Sequence, residues 1–293
     1  MNKWIYRNVA TMRIGSFSLI SILTATSLSA QLLPPNDAGV TLGHIHLTVK
    51  DVDAQTRFLV DMLLGTVVMN GKLTEIQFPG VYILLRQGDS SGPNETAVVD
   101  HFGFIIKDLP QLIEKWKAAG LKVTQSALAR SHNQAYVTGP EGTHVEAFGD
   151  PDLATPVRMD HIHYYLSPQD VPALQAWYVK MFGLEPSTRE SVSRPGNFMA
   201  TALLPGGVNL SIAAVPATAD APKRGPTKGH LIDHIGFEVK DLDAFYRRLQ
   251  AQGIEFEGPV RQSANASHLK VAFMTDPWGT GIELTEGLTP VKK

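Results

Sequence analysis

One strand-like segment occurs twice in the chain, as DHFGFIIKDL at residues 100–109 and as DHIGFEVKDL at residues 233–242. Seven of the ten positions are identical, although the segments begin 133 residues apart. Weaker relatives begin at Gly43 (GHIHLTVKDV) and at Asp160 (DHIHYYLSPQDV). Each copy starts with a histidine, continues with alternating apolar residues and ends near an acidic residue. The chain therefore contains four copies of one module.

A helix is predicted after each copy of the segment, because apolar residues recur there at helical spacing and a glycine follows them. The helices begin at Asp51, Asp108, Pro172 and Asp241, and the closing glycines are Gly65, Gly120, Gly183 and Gly253. Short alternating runs such as GVYILLRQ, THVEAFG, VNLSIAAV and GIELTEG then predict strands. The repeated unit is therefore β-α-β-β-β.

A unit of about 50 to 65 residues is too small to bury much of a core alone, so the modules are expected to pair. Polar linkers place the four modules at residues 39–93, 97–150, 156–215 and 229–288. We expect consecutive modules to pair, which gives an α+β protein with one domain over 39–150 and another over 156–288. Each domain should be a curved, mostly antiparallel sheet with helices outside and a polar, metal-binding cup inside.

The repeated histidines are expected to lie on the cup face, because side chains alternate between the two faces of a strand. The same alternation places one glutamate of THVEAFG and one of TGIELTEG on that face. Two histidines and one carboxylate suit Fe(II), Mn(II) or Zn(II) and leave positions open for water, oxygen or substrate. The predicted metal ligands are His44, His101 and Glu146 in the first half, and His161, His234 and Glu283 in the second.

Four further histidines need a separate interpretation. His46 and His163 are the second histidines of their strands, and we expect them to contact the substrate or the metal ligands. His144 and His230 receive no role. The alternative for every histidine at a strand start is a structural residue that is held by hydrogen bonds, and it remains open.

These motifs resemble the vicinal oxygen chelate superfamily, which includes glyoxalase I, extradiol catechol dioxygenases, fosfomycin-resistance proteins and bleomycin-binding proteins. The resemblance covers essentially all of the chain after residue 38 and implies the paired-module fold and the metal positions named above. It implies no single reaction, since such folds carry several chemistries. Neither VYILLRQ nor VNLSIAAV offers the additional glutamate of glyoxalase-type enzymes, which disfavours that assignment.

The extradiol dioxygenases are similar in one further motif. The run AYVTGPEGTHVE places Tyr136 ten residues before Glu146, with Pro140 and Gly142 between them. The resemblance implies that Tyr136 is catalytic, through a hydrogen bond to a bound oxygen and proton transfer. Gly139 departs from the family pattern, and Phe273 replaces the tyrosine in the second half. We expect a dioxygenase-like enzyme; a lyase, isomerase or epimerase, and a binding or resistance protein without turnover, are the alternatives.

The first thirty residues predict export. MNKWIYRNVATMR carries three basic residues and no acidic one, and the apolar run IGSFSLISILTATSLSA follows it. This pattern is typical of a signal peptide cleaved after Ala30, and the run is short for a membrane anchor, which is the alternative. The mature protein would then be periplasmic or secreted, with no stable membrane span.

Composition limits the remaining possibilities. The chain has 293 residues, of which 43% are hydrophobic and 18% charged, as expected of a protein with packed cores. The net charge of -2 and the lack of a basic stripe give no indication of a nucleic-acid partner. No cysteine is present, which excludes disulfides and thiol chemistry. The expected partner is a small-molecule substrate.

Overall fold

The computed structural model describes residues 32–92, 94–125, 133–191, 196–215 and 224–289. The predicted export segment, residues 1–30, lies outside these ranges. Within them, no helix combines the length and the apolar character that crossing a membrane requires.

The described strands form two eight-stranded sheets. In the first sheet the strand order is β14-β15-β16-β13-β1-β4-β3-β2, and in the second it is β10-β11-β12-β9-β5-β8-β7-β6. The strands of the first sheet are β1 (Val40–Val49), β2 (Thr66–Asn70), β3 (Leu73–Phe78), β4 (Val81–Gln87), β13 (Ile232–Val239), β14 (Arg261–Gln262), β15 (Lys270–Thr275) and β16 (Gly281–Glu286). Those of the second sheet are β5 (Val99–Ile106), β6 (Lys122–Gln125), β7 (Gln134–Thr138), β8 (His144–Gly149), β9 (Val157–Leu166), β10 (Glu185–Glu190), β11 (Phe198–Leu203) and β12 (Asn209–Ala214).

Four helices follow the first strands of the modules, as predicted. They are α1 (Val52–Arg57), which continues as a π-helical turn over Phe58–Met62, α2 (Leu109–Ala118), α3 (Asp170–Phe182) and α4 (Leu242–Ala251). The side chains of Asp51, Asp108 and Asp241 accept hydrogen bonds from backbone N–H groups of the first turns and so cap three of these helices. Helix α3 begins two residues before the predicted Pro172, which lies within its first turn.

The predicted pairing of consecutive modules is wrong. Strand β1 of the first module pairs with β13 of the fourth, and β5 of the second module pairs with β9 of the third. The reason is that the short connection at residues 150–156, predicted to separate the halves, leads from β8 to β9 within one sheet. The α+β class and the curved sheets of paired modules are confirmed, but each half of the chain gives one module to each sheet.

The apolar sides of both sheets contribute to one continuous core that also contains the buried faces of the helices. Phe78 of the first sheet and Phe104 of the second contact each other directly, with ring centroids 4.6 Å apart. Tyr178 and Phe182 of α3 pack on Phe237 of β13. The histidine-bearing sides of the strands are thereby left to form a separate polar site in each sheet.

Candidate metal centres

Each sheet brings three histidines and one glutamate together. In both groups a potential ligand atom of every residue lies within 4.8 Å of those of the others. We call the group beside Tyr136 the tyrosine cup and the group beside Phe273 the phenylalanine cup. The tyrosine cup consists of His101, Glu146, His161 and His163, and the phenylalanine cup of His44, His46, His234 and Glu283.

The central strand pair of each sheet builds its cup from two complementary motifs. One strand carries His-x-His and its antiparallel neighbour carries His-x-Gly. In the first sheet His44 lies opposite Gly236 and His46 opposite His234. The second sheet repeats this arrangement with His161 opposite Gly103. The two cups are therefore equivalent by register as well as by composition.

The glycine of the His-x-Gly motif makes room for the opposing histidine. A Cβ atom on Gly236 would lie 2.0 Å from the ring of His44, and one on Gly103 would lie 2.2 Å from the ring of His161. Any side chain at these positions would displace a histidine from its cup. The glycine of the repeated DHxGF segment is thus part of the site.

Three of the histidines donate their Nδ1 hydrogen to the aspartate that precedes them in sequence. The Nδ1–carboxylate distances are 2.7 Å for His101–Asp100, 2.8 Å for His161–Asp160 and 2.7 Å for His234–Asp233. Such a bond fixes the tautomer and turns Nε2 toward the cup. His44 follows a glycine, and its buried Nδ1 has no hydrogen-bond partner.

The Nε2 atoms of these histidines converge on one carboxylate oxygen in each cup. In the tyrosine cup, Glu146 Oε2 lies 3.2 Å from His101 Nε2 and 3.0 Å from His161 Nε2. In the phenylalanine cup, Glu283 Oε2 lies 3.0 Å from His44 Nε2 and 2.9 Å from His234 Nε2.

The cups differ in the hydrogen bonds that the other glutamate oxygen, Oε1, accepts. Glu146 Oε1 accepts a hydrogen bond from the Tyr136 hydroxyl at 2.7 Å and another from Gln134. Phe273 and Val271 occupy the corresponding positions of the phenylalanine cup and cannot donate one. The carboxylate of the tyrosine cup is therefore fixed at both oxygens.

The buried charges shift several pKa values in the tyrosine cup. Burial lowers the pKa of His101, but hydrogen bonds to Asp100 and Glu146 outweigh this and raise it to about 9. His163 lacks a carboxylate partner, and burial together with the neighbouring histidines holds its pKa well below the usual value. Burial and the adjacent Glu146 raise the pKa of Tyr136, so its hydroxyl stays protonated.

The phenylalanine cup shows the same division. Burial opposes protonation of His234, but Asp233 and Glu283 raise its pKa to about 9. Burial and the nearby His234 lower the pKa of His46 to about 2. Two histidines of the tyrosine cup, His101 and His161, are thus held between two carboxylates, whereas His234 is the one so held in the phenylalanine cup. The second histidine of the His-x-His strand stays neutral in both cups.

Each cup opens into a cavity that can hold a small molecule. The volumes are about 330 Å³ at the tyrosine cup and about 370 Å³ at the phenylalanine cup. The first cavity has several aromatic lining residues, namely Tyr136, Phe148, Tyr165 and Phe198. Three cationic residues line the second, namely Arg86, Lys228 and Arg261.

A divalent metal fits these donor sets. Neither ring nitrogen of His163 has a hydrogen-bond partner, although the residue is buried, and both nitrogens of His46 are also without one. Buried imidazole nitrogens normally have a partner, and a metal ion would supply it. Three imidazoles and a carboxylate suit first-row divalent ions.

The predicted grouping of the ligands is wrong, because it followed the predicted module pairing. His101 and Glu146 lie with His161 rather than with His44, and His234 and Glu283 lie with His44 rather than with His161. His46 and His163 lie within the donor groups, where an imidazole can bind either the ion or a substrate. The Tyr136 hydroxyl lies beside a candidate ligand, Glu146, and its catalytic role stays a prediction.

Sequence reasoning missed the aspartates and His144. The aspartates were visible as the first letter of the three DH pairs. His144 received no role, yet its ring lies 5.2 Å from that of His101 and 5.1 Å from that of Tyr136. Its place at the start of β8, two residues before Glu146, was the available signal. His230, also without a role, lies in a hydrogen bond with Thr96.

Comparison with known proteins agrees with this architecture. Residues 158–284 match the family model of the Glyoxalase/Bleomycin resistance protein/Dioxygenase superfamily. A search of curated protein sequences finds no match to the chain.

Two solved structures share the fold over most of their length. Glyoxalase I from Zea mays is 14% identical and superposes with a TM-score of 0.64, covering 84% of this chain and 92% of the maize chain. A candidate dioxygenase of Bacillus subtilis is 14% identical, with a TM-score of 0.59 and coverage of 88% and 86%. Residues 158–284 thus match the Glyoxalase/Bleomycin resistance protein/Dioxygenase superfamily, to which the sequence motifs showed a resemblance, and 84% of the chain shares the fold of glyoxalase I.

Proposed function

We propose that the protein is a metal-dependent enzyme that acts in the tyrosine cup on a small molecule with two adjacent oxygen atoms. The observation that carries this proposal is the convergence of three buried histidines and Glu146 at the base of a cavity, with the Tyr136 hydroxyl beside them. His101, His161, Glu146 and His163 would hold the ion. A bound Fe(II), Mn(II) or Zn(II) would polarise the oxygens of the substrate, and Fe(II) or Mn(II) would also permit reaction with oxygen.

The residues of the tyrosine cup each have a definable part. Asp100 and Asp160 orient His101 and His161, and Gln134 and Tyr136 hold Glu146 in place. Phe148 and Phe198 provide apolar surface for the body of the substrate. Tyr136 keeps its proton but has a single O–H group. To donate to a substrate oxygen and assist proton transfer there, the hydroxyl would turn away from Glu146 Oε1, which Gln134 would still hold.

A dioxygenase-like reaction is our first candidate, because Tyr136 lies at the position of the dioxygenase motif and contacts a candidate ligand. A lyase, isomerase or epimerase reaction is the second. It is favoured by His163, because a fourth protein ligand leaves fewer positions on the ion for substrate and oxygen together.

Turnover and oxygen consumption test these candidates. The protein would be purified anaerobically, loaded separately with Fe(II), Mn(II) and Zn(II), and assayed with catechols and with α-hydroxy ketones. Oxygen uptake with a catechol supports the first candidate, and conversion without oxygen uptake supports the second. Ligand binding without conversion would indicate a binding or resistance protein, and a wild-type chain that binds no metal would contradict the proposal.

Tyr136→Phe is expected to lower turnover by about 100-fold while leaving metal content unchanged, since general acid–base groups contribute about 10²–10⁴-fold. Only the hydroxyl is lost, and Gln134 still holds Glu146. Steady-state rates and elemental analysis of the same preparation check this. Phe273→Tyr is the matched control, and it should not change the rate if turnover takes place in the tyrosine cup. Equal rates for Tyr136→Phe and wild type would exclude a catalytic tyrosine.

We also propose that the protein is exported and that residues 1–30 are removed, which rests on the basic start and the apolar run of the sequence. Intact-mass measurement of the protein from the periplasm or the medium is expected to show a chain that begins at Gln31. Retention of Met1 in the exported protein would show that the segment is not cleaved.

A further inference from the structure

The aspartates that accept hydrogen bonds from the histidine Nδ1 atoms also accept hydrogen bonds from arginines. Asp100 Oδ2 accepts from Arg224 Nη1 at 2.8 Å, while Oδ1 accepts from His101. Asp233 Oδ2 accepts from Arg86 Nη2 at 3.1 Å, while Oδ1 accepts from His234. Each carboxylate thus joins a guanidinium to an imidazole.

The remaining aspartate also binds an arginine, but through a single oxygen. Asp160 Oδ2 accepts both from His161 Nδ1 at 2.8 Å and from Arg189 Nη1 at 2.7 Å. His44, which has no aspartate, is the exception among the four histidines that begin the repeated segments. Every aspartate that orients a cup histidine therefore carries an arginine.

Two of these arginines come from unrelated sequence positions but reach equivalent places. Arg86 belongs to β4 and pairs in register with Thr48. The corresponding pair in the second sheet is Ala213 with Tyr165, so that strand offers no arginine. Instead, Arg224 enters from the chain after β12.

The surroundings of the two guanidinium groups confirm that the places are equivalent. Arg86 donates to the Thr48 hydroxyl at 2.8 Å, and Arg224 lies 4.9 Å from the ring centroid of Tyr165, the counterpart of Thr48. An arginine thus binds the aspartate in both cups, although Arg86 and Arg224 do not occupy equivalent positions of the repeat. If the contact were inherited only from the duplicated sequence, the second arginine would stand at position 213, which is occupied by Ala213.

A carboxylate bound to a histidine alone can rotate about its side-chain bonds and offer either oxygen. A charge-assisted bond from arginine at the second oxygen fixes the plane of the carboxylate and so the direction of its bond to Nδ1. Arg224 is suited to this because its side chain is 12% exposed and also donates to the carbonyl of Ala97 at 3.0 Å.

We propose that Arg224 and Arg86 are positioning residues for the metal-binding histidines of the tyrosine cup and the phenylalanine cup, respectively. By fixing Asp100 and Asp233 they hold the Nδ1–H form of His101 and His234, so that Nε2 faces the ion. The proposal rests on the metal sites of the proposed function, but it concerns how this chain prepares them.

The first measurement is the Zn²⁺ affinity of each cup, determined in chains whose other cup is disabled. Loss of an outer partner of a metal ligand lowers affinity by about 10–100-fold. Arg224→Gln should therefore weaken Zn²⁺ binding by about 10-fold or more in the tyrosine cup only, and Arg86→Gln in the phenylalanine cup only. Arg224→Lys and Arg86→Lys should retain more affinity than the glutamine variants, because lysine keeps the charge but not the planar fork.

The control is Arg158→Gln, since Arg158 lies on β9 but donates to the carbonyl of Gly206, away from both cups. It should leave both affinities at the wild-type value. Unchanged affinity in Arg224→Gln and Arg86→Gln, or an equal fall in both cups from either change, would overturn the proposal.

The second measurement needs no metal. The Nδ1 proton of His101, held by Asp100, is expected to give a protected ¹H resonance in metal-free protein, which Arg224→Gln should broaden or abolish while the resonance of His234 remains. Weaker Zn²⁺ binding with an unchanged resonance would mean that Arg224 acts through its charge alone, against the proposal. Because this readout is independent of the ion, it separates failure of this inference from failure of the proposed metal sites. If Arg224→Gln does not fold, Arg86→Gln decides the matter, since the Arg86 side chain is 54% exposed.

Discussion

The double variant His101→Ala/His161→Ala is expected to keep one metal ion bound at wild-type affinity, whereas His161→Ala/His234→Ala is expected to keep none. The first pair of changes removes two donors from the tyrosine cup and leaves the phenylalanine cup complete. The second pair removes one donor from each cup. Because even outer-shell partners are worth about 10–100-fold in affinity, loss of a direct ligand should exceed 100-fold. Isothermal titration of metal-free protein with Zn²⁺ counts the ions bound at each affinity.

The experiment distinguishes the two ways of pairing the modules. If consecutive modules formed the sites, His101 and His161 would belong to different cups, and the outcomes of the two double variants would be exchanged. His268→Ala is a suitable control, because His268 is exposed and belongs to neither donor group. Wild-type affinity for two ions in both double variants would show that the histidines are structural.

Much of the local structure follows from the sequence. The alternation of apolar and polar residues places His44, His101, His161 and His234 on the polar side of their strands, and aspartates cap three of the predicted helices. The two glutamates also lie on this side, each within about one hydrogen-bond length of a histidine. Local periodicity and capping are sufficient for these features, because they depend on neighbours along the chain.

The pairing of the modules could not be predicted in the same way. A His-x-His strand needs a His-x-Gly neighbour, since the glycine accommodates the opposing ring. Both consecutive pairing and the observed pairing satisfy this rule, because modules one and three carry His-x-His while modules two and four carry His-x-Gly. The strand motifs are therefore degenerate, and the choice between the two arrangements depends on long-range packing and on the connections between modules.

The two cups also show how a duplicated site can diverge without changing its donors. Asp160 is replaced by Gly43, Tyr136 by Phe273 and Gln134 by Val271, so the phenylalanine cup has fewer bonds that hold its ligands. Each missing bond leaves a donor freer to rotate in the absence of an ion. The metal ligands of the tyrosine cup are therefore fixed by more hydrogen bonds than those of the phenylalanine cup, which supports the choice of the tyrosine cup as the catalytic site.

A buried carboxylate in the first sheet leads to a prediction about stability. Glu75 on β3 is fully buried, and its Oε1 accepts a hydrogen bond from Asn70 at 3.1 Å while Oε2 has no partner. Burial raises the pKa of Glu75 to about 7, the bond from Asn70 opposes this in part, and the nearby Glu238 adds to it. The folded protein therefore binds this proton more tightly than the unfolded chain does, where the pKa is 4.5.

Glu75→Gln is expected to be more stable than the wild type by about 3 kcal/mol at pH 8, and nearly equal to it at pH 4.5. The sign follows from the raised pKa, since Glu75 is protonated in both states well below pH 4.5. As the pH rises from 4.5 to 7, the unfolded chain releases a proton that the folded protein still holds, so the stability of the wild type falls, and the loss is complete above pH 7. Glutamine has the same shape, keeps the acceptor for Asn70 and does not titrate. Urea unfolding of metal-free protein at both pH values measures the difference, with Glu185→Gln on an exposed residue as the control. Parallel stability curves for Glu75→Gln and wild type between pH 4.5 and 8 would mean that Glu75 is ionised in the folded protein and that some neighbouring group compensates its charge.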